Sequence, residues 1–151
     1  MIAGKPMIQH VYDRCRASSL LQSIWVATDD MRVSDVVTAF GGQAMMTRPD
    51  YPSGTDRIAE VAQATDADIV INIQGDQPFI HPAMIAESVR PLLDNPREEI
   101  ATLMFRILRK EDLETPSVVK VVADLTGHAL YFSRSLIPYP REQVEHHVYE
   151  H

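Results

Sequence analysis

The sequence predicts an α/β fold whose sheet is mostly parallel in the first half of the chain and antiparallel in the second. Up to about residue 93, helical patterns alternate with short apolar runs, which is typical of a doubly wound parallel sheet. From Ile100 onward, apolar runs follow one another and are joined by a short turn containing glycine, which indicates a hairpin. The first element is a helix, whereas an α/β domain normally begins with a strand, so the predicted sheet is incomplete.

The helices of the first half are predicted from apolar residues at helical spacing and from start and stop signals. They begin at Pro6, near Arg32, after the polar turn that contains Ser53 and Thr55, and at His81. A further single helical turn is expected between residues 109 and 115.

The strands are predicted from short runs of apolar and β-branched residues, at positions 23–30, 44–47, 69–73, 101–107, 118–124 and 129–134. The run at 69–73 (Ile-Val-Ile-Asn-Ile) is the most apolar of them. Its composition suits a strand buried on both faces, as in the centre of a parallel sheet.

A carboxylate follows this central strand in the segment Gln-Gly-Asp-Gln-Pro at 74–78. Open α/β sheets keep their chemistry just beyond the carboxyl ends of their strands, so Asp76 is the first candidate for a functional residue. An aspartate before a helix can also serve only as its N-cap. The residues alone leave both interpretations open.

Two further candidates come from local patterns. A Ser-Gly-Thr loop at Ser53–Thr55 enters a helix and offers free N–H groups and hydroxyls to a polar ligand, although a simple capped helix start explains it equally well and is favoured from these residues alone. Arg134 stands at a strand end, where it could bind a carboxylate through two hydrogen bonds or be an ordinary surface arginine.

Composition excludes several classes of protein. The chain has 151 residues, 45% of them hydrophobic, which suits one soluble domain with a core. Its net charge of -7 argues against nucleic-acid binding, and no apolar run approaches the roughly 20 residues of a membrane span. The N-terminus lacks the layout of a signal peptide, so a cytoplasmic location is expected. The single Cys15 excludes an internal disulfide, and the histidines at 146, 147 and 151 lack a zinc-protease arrangement.

Six short motifs resemble, in order, those of the 3-deoxy-manno-octulosonate cytidylyltransferases, also called CMP-KDO synthetases. They lie at residues 4–12, 26–29, 53–57, 72–78, 118–122 and 129–138. The most specific is Tyr-Phe-Ser-Arg-x-x-Ile-Pro at 131–138, which separates this family from the CMP-sialic acid synthetases. The resemblance covers almost the whole chain.

The resemblance implies a Rossmann-like nucleotidyltransferase sheet and a Mg²⁺-dependent reaction. The anomeric hydroxyl of 3-deoxy-manno-octulosonate (KDO) attacks the α-phosphate of CTP and yields CMP-KDO and pyrophosphate for lipopolysaccharide biosynthesis. By similarity, Asp76 would hold the metal and Gln74 would contact the sugar beside it, as the catalytic pair. A hard carboxylate oxygen is a ligand that Mg²⁺ prefers.

The resemblance also assigns the binding residues. Ser53, Gly54, Thr55 and Arg57 would line the cytidine pocket. Arg134 would bind the KDO carboxylate, and His151 would contact the sugar. The family forms a homodimer, so we expect one nucleotidyltransferase domain over 1–151 whose residues 100–140 form an antiparallel dimerisation extension.

Two departures from the family pattern shape the expectation for this chain. The family begins with a strand and a loop whose arginine and lysine handle the triphosphate, and it continues beyond the position of His151 to a second metal-binding aspartate. Neither segment is found, so we expect a domain truncated at both ends that is inactive and aggregation-prone alone. The alternatives are a cytidylyltransferase for a related acid sugar, such as 8-amino-KDO or sialic acid, and an inactive α/β fragment that only binds or dimerises.

Overall fold

The computed structural model describes residues 1–139, which divide into two compact units, Met1–Thr102 and a second unit that begins at Leu103. The histidines at 146, 147 and 151 lie outside the described residues. The single domain predicted over 1–151 stays a prediction, and each unit is described here by itself.

The first unit contains four helices: α1 (Met7–Arg16), α2 (Met31–Ala39), α3 (Gly54–Gln63) and α4 (Pro82–Asp94). Local caps explain three of the starts. The side chains of Asp30, Ser53 and His81 accept hydrogen bonds from backbone N–H groups in the first turns of α2, α3 and α4. The predicted helices are therefore confirmed. None of the helices within residues 1–139 is both long enough and apolar enough to cross a membrane.

The first unit contains one pair of parallel strands, β1 (Trp25–Thr28) and β2 (Gln43–Met46). Helix α2 connects them, as the alternation of helices and strands predicts. A bond from the Thr47 N–H to the Thr28 carbonyl, 2.9 Å long, extends the pairing beyond the last register pair. The carboxyl ends of β1 and β2 therefore lie side by side.

The hydrophobic core of the first unit centres on Val11, Cys15 and Ile85. Other apolar residues pack against this cluster while remaining partly exposed: Leu21, Ile24, Ile71, Ile73 and Ile80. Burial raises the pKa of the Cys15 thiol, which suits a small packed residue rather than a nucleophile.

The strand predicted at 69–73 is wrong in its hydrogen bonding and in its burial. Within the described residues this segment joins no ladder, and its burial alternates: Ile71 and Ile73 are half-buried, whereas Val70 is 47% exposed. The predicted strand at 101–107 is likewise absent. Both predictions rested on apolar side chains, but a strand also requires a neighbouring backbone, which the pattern of a single segment does not show.

The second unit contains helix α5 (Lys110–Glu114) and an antiparallel hairpin of β3 (Lys120–Ala123) and β4 (Ala129–Ser133), in which Lys120 pairs with Ser133. The Asp124 carboxylate closes the turn by accepting bonds from the backbone N–H groups of Thr126 and His128, at 2.8 and 3.0 Å. The predicted hairpin and the helical turn before it are confirmed, although β3 begins two residues later than expected.

Candidate functional site

The start of α3 forms one side of the candidate site. The Ser53 hydroxyl accepts a bond from the Asp56 N–H at 3.2 Å and donates to the Asp56 carboxylate. The capped helix start is thus confirmed. The cap does not exclude a ligand, because the first N–H groups of a helix have no partner within the helix. Gly54 and Thr55 contribute such groups in the first turn.

A chain of side-chain hydrogen bonds connects this turn to the segment that carries the catalytic candidates. Gln74 Nε2 donates to Asn72 Oδ1 at 2.8 Å, and Asn72 Nδ2 donates to Thr55 Oγ1 at 3.3 Å. A Cβ atom at Gly54 would lie 3.7 Å from Gln74 Oε1. The structure therefore brings Gly54, Thr55 and Gln74 together. Sequence reasoning assigned no role to Asn72, although a polar residue inside an apolar run was the available signal.

Arg57 fixes the other side of α3 to the ends of the parallel strands. Its side chain is only 18% exposed; Nη2 lies 3.0 Å from Asp29 Oδ2, and Nη1 donates to Thr47 Oγ1 at 2.7 Å. Asp29 comes directly after β1's last residue, Thr28, and Thr47 directly after β2. The Arg57 guanidinium holds the pKa of the Asp29 carboxyl below its ordinary value, chiefly through their hydrogen bond.

These contacts give Arg57 an observed structural role. Two of its nitrogens are already engaged with protein groups, so any contact with a nucleotide would be made by a side chain that is fixed beforehand. Its assignment to the nucleotide stays a prediction. Sequence reasoning missed Asp29 and Thr47 as its partners; their position at the ends of neighbouring parallel strands was the signal that could have found them.

Asp76 does not cap the helix that follows it. Helix α4 begins at Pro82, and His81 Nδ1 accepts the bond from the Ala83 N–H at 3.2 Å. Asp76 lies in a turn closed by the Gln77 N–H and the Gln74 carbonyl, 3.2 Å apart. It is exposed, and no group within residues 1–139 forms a hydrogen bond or ion pair with its carboxylate. The capping interpretation is therefore wrong, and the carboxylate is available to a ligand.

Asp76 offers a single exposed carboxylate that a metal ion could use as a ligand. Residues 1–139 contain no group of three or more histidine, cysteine, aspartate or glutamate side chains that could hold an ion. Mg²⁺ is commonly bound by one or two carboxylates, with water and substrate phosphates completing the coordination. Asp76 could supply one such ligand.

A cleft of about 740 Å³ lies in the first unit between β1, the segment 69–75 and α3. Three of the predicted site residues, Gly54, Arg57 and Gln74, line it. Its volume is in the range of pockets that hold small organic ligands, roughly 300–1,000 Å³. Much of the remaining wall is apolar, including Val26 and Ile71.

Arg134 follows β4 in the second unit and is exposed. Its Nη1 donates to the Pro116 carbonyl at 2.8 Å, and its own carbonyl accepts a bond from Lys120 Nζ at 2.9 Å. The guanidinium is therefore held against the preceding loop instead of moving freely. The predicted sugar contact His151 lies outside the described residues.

Comparison with known proteins gives a consistent result. The whole chain, residues 1–151, matches the sequence family described as Cytidylyltransferase. A 3-deoxy-manno-octulosonate cytidylyltransferase from Pelobacter propionicus is 53% identical over 143 residues, which cover 95% of this chain and 56% of that protein. The corresponding protein from Geobacter sulfurreducens is 51% identical over 142 residues, or 94% of this chain and 57% of its own length.

A solved structure, that of a CMP:2-keto-3-deoxy-manno-octonic acid synthetase complexed with CTP, is similar with a TM-score of 0.88 and 52% identity. The likeness covers 93% of this chain and 58% of the synthetase, so the chain spans little more than half the length of the proteins it matches. The resemblance predicted from the six motifs and the α/β nucleotidyltransferase fold are confirmed. The chain belongs to the cytidylyltransferase family.

Proposed function

We propose that this chain is part of an enzyme that transfers CMP from CTP to KDO, with pyrophosphate as the second product. The observation that carries the proposal is the likeness to a CTP-complexed synthetase at 52% identity and a TM-score of 0.88, over 93% of the chain. Because the chain covers just over half of such proteins, the activity is proposed for the whole enzyme to which these residues belong.

The first turn of α3 is the proposed nucleotide contact. The proposed contact is made by Ser53, Gly54 and Thr55: the cap at Ser53 fixes the turn, and the backbone N–H groups and the Thr55 hydroxyl can hold the polar edge of a pyrimidine or a phosphate oxygen near the cleft. The ion pair between Arg57 and Asp29 connects α3 to the end of β1 and so holds this turn in place. Arg57 therefore contributes by holding α3 against the strand ends, whether or not it also touches the nucleotide.

Asp76 and Gln74 are the proposed catalytic pair. The Asp76 carboxylate has no protein partner among the described residues and would hold the magnesium ion, which supplies charge neutralisation at the phosphates when bound. Gln74 is oriented by its bond to Asn72 and would position the sugar hydroxyl. Positioning of this kind and charge stabilisation account for most of the catalysis in phosphoryl and nucleotidyl transfer.

The second unit would supply recognition of the acid sugar and subunit contact. Arg134 would bind the KDO carboxylate. The exposed side chains of Leu130, Tyr131 and Phe132 on β4 support the proposal that residues 100–140 form a homodimer interface, because apolar strand residues of this size are ordinarily covered. We place the enzyme in the cytoplasm, where CTP is made, and its product in lipopolysaccharide assembly.

The test is a product assay on the gene expressed with its in-frame flanking sequence. With CTP, KDO and Mg²⁺, mass spectrometry should detect CMP-KDO together with released pyrophosphate, and chelation of Mg²⁺ should abolish both. Asp76→Asn should reduce the rate at least about hundredfold, because it removes a charge that acts directly at the reacting phosphate. Asp35→Asn, on an exposed face of α2, is the matched control and should leave the rate unchanged.

Two results would contradict the proposal. Full activity in Asp76→Asn would remove Asp76 from the catalytic site, and faster turnover of 8-amino-KDO or sialic acid than of KDO would assign the enzyme to a related acid sugar.

A further inference from the structure

Lys120 is the most deeply buried charged residue described in the chain, with 3% of its surface exposed. Its ammonium donates three hydrogen bonds, to the backbone carbonyls of Thr115, Val118 and Arg134, at 2.8, 3.0 and 2.9 Å. All three N–H groups are therefore satisfied, yet every acceptor is neutral. A buried ammonium is ordinarily compensated by a carboxylate, because its transfer from water costs several kcal/mol.

Arg134 contacts the same loop as Lys120, the one formed by residues 115–118. Its Nη1 donates to the Pro116 carbonyl at 2.8 Å, so residues 115–118 accept bonds from both cations. This contact occupies one end of the guanidinium. The edge formed by Nε and Nη2 makes no hydrogen bond with any group in residues 1–139 and has the spacing of a carboxylate's two oxygens.

Neither cation forms an ion pair within the described residues. Other arginines of the chain do: Arg32 pairs with Asp30, Arg57 with Asp29 and Arg109 with Asp112. The chain as a whole carries a net charge of -7, so acidic side chains are abundant. Within residues 1–139 these two positive charges contact the same loop and are paired with no carboxylate, and an anionic ligand would balance them.

We propose that Lys120 is a positioning residue that fixes the loop 115–118 and the backbone of Arg134, so that the free edge of Arg134 binds the carboxylate of an acid sugar. This inference rests on the proposed function and deepens it, since it assigns the recognition of the acid group to a pair of cations instead of one arginine. Lys120 adds positive potential behind Arg134 and keeps its backbone in one place, and it does not touch the ligand.

The test measures selectivity for the charged group. The protein expressed with its in-frame flanking sequence and labelled with ¹⁵N is titrated with KDO and with the neutral C1 amide of KDO, while the backbone amide resonances of Ser117 and Ser135, beside the proposed site, are followed. We expect the parent chain to bind the acid at least about tenfold more tightly than the amide, as expected for hydrogen bonds to a charged group. Arg134→Gln should lose this preference, and Lys120→Met should reduce it to under about threefold. Lys110→Met, on exposed α5, should keep it.

A second measurement uses the unsubstituted chain, in case Lys120→Met does not fold. The Lys120 ammonium should give a resonance protected from solvent exchange, and this resonance should shift on binding KDO and much less on binding the amide. An unprotected ammonium would overturn the proposal.

The remaining outcomes separate the two proposals. Full selectivity in Lys120→Met would overturn the role of Lys120 and leave the carboxylate contact of Arg134 intact. If the parent chain bound the acid and the amide equally well, the carboxylate contact of Arg134 would be refuted as well. An equal response to inorganic phosphate would make this a general anion site and overturn the carboxylate assignment. Failure of the proposed function would appear separately, as absence of CMP-KDO in the product assay.

Discussion

Replacing Lys120 by methionine tests whether the three bonds of its ammonium stabilise the second unit. Each hydrogen bond to a charged group contributes about 1.5–3 kcal/mol, and the three distances of 2.8–3.0 Å are good. The opposing term is desolvation of the ammonium, which is several kcal/mol for a group that is 3% exposed. Methionine fills similar space and removes both terms, but it leaves three carbonyls without a donor.

We therefore expect Lys120→Met to lower the free energy of unfolding of the second unit by about 2 kcal/mol, which raises its unfolded fraction roughly thirtyfold. Native-state hydrogen exchange at the amides of Val121 and Tyr131, on paired strands of the hairpin, measures this directly. Lys110→Met is the control, because surface substitutions ordinarily stay within about 0.5 kcal/mol.

Unchanged or slower exchange in Lys120→Met would refute this reasoning. It would mean that desolvation outweighs the three hydrogen bonds, so that the buried charge is retained at a cost in stability and not because it stabilises the fold.

Two further predictions concern stability of the first unit. Ile85 lies in the core cluster and is 1% exposed. Its replacement by alanine should lower the free energy of unfolding by about 2–4 kcal/mol and its replacement by valine by about 1 kcal/mol, as measured by urea unfolding. Equal losses in the two variants would contradict its central place in the core. The bonds from Arg32 lower the pKa of Asp30 to about 2 from its ordinary 3.8. A carboxyl whose folded pKa is lowered stabilises the fold above pH 3.8, and this contribution is lost as the pH falls towards 2. Asp30→Asn keeps an N-cap oxygen, so the stability difference between parent and variant should be present at pH 6 and disappear near pH 2; a difference that is independent of pH would contradict the assignment.

The helices could be predicted to within a few residues because their signals are local. The cap at Ser53, the glycines after α2 and the proline at the start of α4 act within one turn of the helix they delimit. The hairpin was predictable for the same reason, since its turn at 124–128 closes on itself through Asp124.

The prediction of a strand at 69–73 was wrong because a strand needs a neighbouring strand to pair with, and which segments lie side by side is decided by the whole sheet. The alternation of half-buried Ile71 and Ile73 with exposed Val70 and Asn72 shows that only one side of the segment is covered. The apolar residues of the segment indicated correctly that one side is covered, yet they could not show whether a neighbouring strand lies beside it.

The individual residues of the candidate site could be predicted from the sequence, but the hydrogen bonds and the ion pair that connect them could not. The motifs identified Thr55 and Gln74 by resemblance, but the bonds that join them through Asn72 cross 17 positions of the chain. The pairing of Arg57 with Asp29 arises in the same way, because strand ends and a helix start converge only after folding. Such contacts depend on topology, whereas a sequence motif records one segment at a time.

The cleft in the first unit is a common physical reason for two results: the segment 69–73 forms no strand, and the chain is expected to aggregate. Among the described residues, strand β1 pairs only with β2, and the cleft lies between its other side and the segment 69–75. Both walls of the cleft carry apolar side chains, which neither ordered water nor a polar ligand covers favourably. A ligand held at Gly54, Arg57 and Gln74 would fill only its polar part. An apolar wall beside unpaired backbone is the feature that makes open sheet edges associate with other chains, which is why we expect these 151 residues to aggregate when they are expressed alone.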